Sequence, residues 1–180
     1  LVTCNIPAGT PGRVDVSYTN TADRGGTSTT ATNAWVWTTS LNETNVTAEA
    51  DSCVLASPLT VTSTAGVASA FLVGSVVEAG VTGSSGAPAN VLAQVGYGPI
   101  NSNPTTAPGW VFFPASYFTH SGSFAQFRAP LTVPRAGTYA YTYRFSFNNG
   151  LSFTYCDSNG AGSDPGLTFE STALGTLTVQ

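Results

Sequence analysis

Lysine and methionine are missing from the 180-residue chain, and His120 is its single histidine. Charged residues make up 8% of it, against roughly 25% in an ordinary soluble domain. The net charge is −4, and the five arginines, at positions 13, 24, 128, 135 and 144, are scattered. No basic footprint exists for nucleic acid or for an anionic lipid surface. Without lysine, a Lys–Asn isopeptide crosslink of the kind found in some surface fibres is excluded. With one histidine, any Ser-His-Asp arrangement must use His120, and with the cysteines dispersed as well a zinc site, which needs several His or Cys ligands at close spacing, is not expected. His120 stands in a turn-like THSGS stretch, where a lone histidine is ordinarily just solvated. No run of about twenty apolar residues occurs, so no transmembrane segment is expected. The longest apolar stretch, near Ala70 to Val77, is broken by Gly74 and Ser75. Helical periodicity is also missing, apart from one turn near Ser116 to Thr119. The chain starts at Leu1 with no leader, which fits a processed, exported protein.

What remains is 42% hydrophobic residues, with Ser, Thr and Asn supplying the polar surface. Short alternating segments recur between Gly/Pro turns: Arg13–Tyr18, Asn33–Leu41, Leu59–Thr62, Ala70–Glu78, Val91–Tyr97, Trp110–Phe113, Phe124–Val133 and Leu174–Val179. The strongest is the stretch Gly137 to Cys156. Tyr139, Tyr141, Tyr143, Phe145 and Phe147 alternate with small or polar residues, which places them on one strand face. Asn148-Asn149-Gly150 suits a short hairpin turn, and Phe153 and Tyr155 alternate on the returning arm. These seven aromatics are the expected core. The pattern predicts an all-β fold, an antiparallel β-sandwich of immunoglobulin-like or jelly-roll-like type. Residues 53–180 form the sandwich. Residues 1–52 are an N-terminal β extension with one or two strands, open to exchange with a neighbouring subunit.

Three cysteines, Cys4, Cys53 and Cys156, are too few for a disulfide scaffold, but one bridge fits an oxidising compartment. Cys53 with Cys156 is the favoured pair, leaving Cys4 as a free or intermolecular thiol. The alternative is Cys4 with Cys53, leaving Cys156 free.

Two resemblances bear on the fold. Arg135-Ala136-Gly137-Thr138-Tyr139 resembles the tyrosine corner of immunoglobulin-like domains, in which the phenol bonds to main chain a few residues upstream. The blocks Ala93–Trp110, Gly137–Asp157 and Asn159–Phe169 together resemble an immunoglobulin/fibronectin-like β-sandwich module repeated in secreted proteins of myxobacteria and related bacteria. The likeness runs from about Cys53 to the end. It departs where that module has an acidic DGG turn and a tryptophan; here stand Asn148-Asn149-Gly150 and Phe153. The resemblance implies export and a non-catalytic or appended role.

Candidate sites are few. No paired carboxylates or nucleophile–base arrangement stands out, so the chain is expected not to be an enzyme. No cofactor is expected, with calcium the one metal to consider: Asp157, Asn159 and Asp164 share one loop and could offer oxygens, although the same residues are what a tight turn needs. Sugar rings stack on aromatic faces, which makes Trp35, Trp37, Trp110 and Tyr117 candidate glycan contacts. The ordinary expectation for Trp110 with Phe112 is core. The sequons at Asn42 and Asn45 fit the N-x-[ST] glycosylation pattern, although in a bacterial protein two matches are what chance gives in a Thr-rich chain. The functional expectation is therefore a secreted or cell-surface, non-catalytic protein acting by association. It would be a subunit of an extracellular fibre or layer, or an adhesive module, with itself as partner through the N-terminal segment. The alternative is a carbohydrate-binding module for an extracellular polysaccharide.

Overall fold

The computed structural model describes residues 50–160 and 169–180 in full, and the backbone of 12–19 and 28–37. Cys4, Asp164 and both sequons lie outside the described residues, as do the side chains of Trp35 and Trp37. The chain divides into two units, Leu1–Thr39 and Ser40–Gln180.

In the first unit, β1 (Gly12–Thr19) pairs antiparallel with β2 (Ser28–Trp37). The register sets Gly12 opposite Trp37 and Val14 opposite Trp35, with an irregularity between Val14 and Val16.

The second unit is a two-sheet β-sandwich. Its strands are β3 (Ser52–Ser57), β4 (Thr60–Ser63), β5 (Leu72–Val77), β6 (Leu92–Pro99), β7 (Val111–Pro114), β8 (Ser116–Ser121), β9 (Phe124–Ala129), β10 (Gly137–Ser146), β11 (Thr154–Tyr155) and β12 (Gly175–Val179). One sheet has the order β3-β5-β9-β8; the other runs β4-β12-β10-β6-β7, with β11 also on β10. The two orders correspond to the ABED and GFC sheets of an immunoglobulin-type sandwich, with an added strand beside each end of the GFC set. The pairing is antiparallel except for β4, which runs parallel to β12. That exception arises because β3 and β4 are one stretch that changes sheets at Ser57-Pro58. The expected helical turn at Ser116–Thr119 is strand β8 instead, where its alternating side chains pack against β9.

The core lies between the sheets and is built around β10. Tyr141, Tyr143 and Phe145 are fully buried, among Leu55, Leu72, Val76, Val95, Leu131 and Leu177. Tyr139 and Phe147 pack against this core while partly buried. Tyr143 reaches across the sandwich: its ring lies where a Cβ on Gly74 of β5 would be, and its hydroxyl donates to the Leu72 carbonyl at 2.7 Å. Burial raises both the Tyr141 and Tyr143 phenols well above the usual tyrosine range. Tyr139 makes the anticipated corner, its hydroxyl donating to the Arg135 carbonyl at 3.0 Å. Cys53 and Cys156 form a disulfide that joins β3 of one sheet to the end of β11 on the other.

Two aromatics expected in the core are not there. The register sets Tyr155 opposite Arg144 and Thr154 opposite Phe145. Thr154 therefore points inward, its hydroxyl accepting the Ala50 N–H, while Tyr155 shares the outer face with Arg144. Phe153 also packs on Arg144. The cause is the turn. Asn148 bonds to Ser146 and Ser152, and the Ser146 hydroxyl accepts the Gly150 N–H, so residues 147–153 form a wide loop rather than a tight hairpin turn. A one-residue change of register moves every side chain to the other face.

The last sheet strand is divided. β11 and β12 pair along the same edge of β10, with β11 opposite Arg144 and Phe145 and β12 opposite Gly137–Tyr141. Between them the chain leaves the sheet from Cys156 and returns at Gly175. Ser158 N–H donates to the Ala173 carbonyl at the neck of this excursion.

Candidate functional site

The outer face of the β4-β12-β10-β6-β7 sheet carries the most organised cluster of exposed and half-buried side chains among the described residues. It is seated on glycine. β6 places Gly96 and Gly98 on the outer face, because Ala93, Val95 and Tyr97 alternate inward. Trp110 and Phe112, from the segment that enters β7, fill the space that side chains at these glycines would need. The two rings are nearly parallel, with centroids 5.9 Å apart and planes 20° apart. The indole N–H donates to the Ser102 hydroxyl at 2.9 Å, and that hydroxyl donates to the Pro99 carbonyl. The expectation that Trp110 and Phe112 are core is thus corrected: they line the outer face, and Phe113, next in sequence, faces the β6 residues Val95 and Tyr97.

Arg144 of β10 holds the centre of this face. Its guanidinium carbon lies 3.8 Å from the Phe112 ring centroid and 3.9 Å from that of Phe153, so the planar cation is stacked between two rings. Its Nε donates to Gln94 Oε1 at 2.8 Å and an Nη donates to the Tyr155 hydroxyl at 3.1 Å. Tyr155 meets Phe112 edge-on and Phe169 at a tilt, each about 6.0 Å away. Three rings, Phe112, Phe153 and Tyr155, therefore contact one arginine, with Trp110 next to Phe112 and Phe169 next to Tyr155 at the margin.

A recess of about 190 Å³ lies beside this cluster on the same face. Its floor is Ala140, Gly175 and Thr176; Ile100 and Asn101 form one wall, and Ser171, Thr172 and Leu174 the other. Ala140 is the register partner of both Gly98 and Thr176, so the recess opens one strand away from the seat of Trp110.

The other sequence candidates fare differently. Tyr117 turns inward and packs edge-to-face on Phe127, 5.9 Å away, so it is not an exposed glycan contact. Asp157 is buried, and its two carboxylate oxygens accept the N–H groups of Gly160 and Glu170. Its carbonyl accepts the Leu55 N–H at 2.7 Å. Asp157 thus organises the excursion's turn; Asn159 lies in the same turn. No group of three or more His, Cys, Asp or Glu side chains converges among the described residues. His120 is hydrogen bonded through Nε2 to the Thr82 carbonyl.

Sequence reasoning missed Arg144, Phe112, Phe169 and the recess. The signal available was the pair Gly96 and Gly98 within a strand, which reads as a bend or as a seat for something close. Comparison with known proteins matches the chain to no described family and to no curated protein.

Proposed function

We propose that the protein is a non-catalytic module of the cell exterior that works by adhesion, with the outer face of the β10-containing sheet as its contact surface. The observation that carries this reading is the Arg144 stack with Trp110 beside it. Binding hot spots are enriched in Trp, Tyr and Arg, and here such side chains are fixed before any partner arrives. Trp110 is tethered through Ser102, and Arg144 is held by two rings and two hydrogen bonds. A preorganised surface loses little side-chain entropy on binding. The Cys53–Cys156 disulfide supports an oxidising location.

The edges of the sandwich favour adhesion over fibre growth by strand addition. β4 and β7 have four residues each, β7 ends at Pro114, and β3 and β8 carry pairing irregularities. Short, bulged or proline-ended edge strands resist pairing with another chain. The test is retention of the full chain on extracellular matrix from the producing cells. Trp110→Ala with Phe153→Ala should reduce retention about tenfold, equivalent to ~1.4 kcal/mol; unchanged retention overturns the reading.

A second reading rests on the separate β1–β2 unit. A two-stranded hairpin is marginal in water on its own, and pairing with a second copy would stabilise it. In that reading the protein is a fibre or layer subunit that associates through its N-terminal segment. Size-exclusion chromatography of the full chain and of a chain lacking residues 1–39 decides it: loss of large species on deletion supports assembly, and a monomer in both sinks it.

A further inference from the structure

The recess beside Trp110 has a composition that narrows its ligand. We infer that it is a subsite for one neutral hexose ring of an extracellular glycan, with the indole of Trp110 carrying the adjoining sugar; this rests on the adhesive reading of the same face. The lining offers hydroxyl and amide groups from Asn101, Ser171, Thr172 and Thr176, with Ile100 and Leu174 as apolar walls. Among the described residues its lining includes no Asp, Glu or Arg. A uronate or sialate carboxylate would enter without a cation to pair with, and desolvating an unpaired charge is costly. A neutral pyranose presents hydroxyls at its rim and C–H groups on its faces, which is the pattern this lining complements.

Size argues the same way. The recess volume is about 190 Å³. It is below the 300–1,000 Å³ typical of sites that enclose a whole small ligand. One ring can sit in it, and the rest of a chain must run over open surface.

The indole stands at the right place for the next ring. Trp110 lies on Gly98, whose register partner Ala140 is in the recess floor; adjacent strands are ~4.8 Å apart. The segment Pro99–Ser102 connects the two features. Ser102 fixes the indole N–H, while Ile100 and Asn101 form a recess wall. Asn101 holds a positive φ of 58°, in the left-handed region that asparagine tolerates better than most residues.

The experiment is titration of the full chain with neutral hexaoses (β-1,3-gluco-, β-1,4-gluco- and β-1,4-manno-) and with acidic ones (polygalacturonate and polymannuronate fragments), read by calorimetry and tryptophan fluorescence. At least one neutral hexaose should bind and perturb the fluorescence, and the acidic ones should not. Trp110→Ala and the recess-filling Thr176→Phe should each weaken binding about tenfold or more, and the milder Ser171→Ala/Thr172→Ala pair should weaken it less. Arg128→Ala, on the opposite sheet, should change nothing. Absence of binding to every neutral probe overturns the inference, as does equal binding of the acidic ones or full binding by Thr176→Phe. Matrix retention separates the two readings: retention lost in Trp110→Ala/Phe153→Ala but kept in Thr176→Phe, and not competed by any neutral hexaose, removes the sugar subsite and leaves adhesion standing.

Discussion

Each sheet of the sandwich carries, on its outer face, an arginine between two phenylalanines, and the two arrangements are built differently. On the β9 side, Arg128 lies 4.7 Å from the Phe71 centroid and 4.2 Å from that of Phe118. Both rings are open to solvent, at 54% and 44% exposure. On the β10 side, Arg144 lies closer to its rings, is tied by Gln94 and Tyr155, and sits among half-buried aromatics. The backbone beneath makes the difference. β6 supplies Gly96 and Gly98, which let rings lie down on the sheet; β8 and β9 contain no glycine, and Gly74 of β5 faces the core. One motif thus covers exposed apolar surface, and the other builds a fixed surface.

The largest way to disturb this contrast is through the disulfide. Replacing Cys53 and Cys156 by alanine opens a loop closed over 103 residues and should lower stability by ~4–5 kcal/mol in the chain-entropy model. Cys156 follows Tyr155 directly, so in partly unfolding conditions hydrogen exchange should rise around the Arg144 stack before the Arg128 stack. Arg144→Ala comes next, at about 2–4 kcal/mol in urea unfolding, because it removes two partly desolvated ring contacts and two hydrogen bonds from a charged donor. Gly96→Ala follows at about 1–3 kcal/mol, since its methyl would overlap Phe112 and force the ring off its seat. Arg128→Ala should cost about 1 kcal/mol or less, the level of an exposed cation–π pair. If Arg128→Ala cost as much as Arg144→Ala, the two faces would not differ as described.

Much of the interior could be read from alternation. Tyr141, Tyr143 and Phe145 fall inward because period-two patterning is a property of the strand itself. Tyr139 also makes its corner, which needs only local sequence. Phe153 and Tyr155 could not be placed that way. Their register is set by side-chain bonds of Ser146, Asn148 and Ser152, and a wide turn built by side chains looks in sequence like a short one. Trp110 and Phe112 were misplaced for a related reason. What allows them to lie on the outer face is Gly96 and Gly98, on a different strand and more than ten residues away. Arg144 carried no local mark, since its partners come from β6, β7, the 147–153 loop and β11. The pairing of Cys53 with Cys156 was legible as one option of two, and the fold chooses it by bringing β3 alongside the end of β11.

The break between β11 and β12 has a consequence for how this surface can change over generations. The chain leaves the sheet at a disulfide and an Asp157 clamp and rejoins it in the alignment it left. The segment between these anchors is a connection outside the sheet, a cassette at the kind of position where changes in length and sequence disturb strand pairing least. One wall of the recess, Ser171 to Leu174, and the ring of Phe169 belong to that cassette. The sandwich can therefore keep its interior constant and acquire new contact preferences by editing a single insertion.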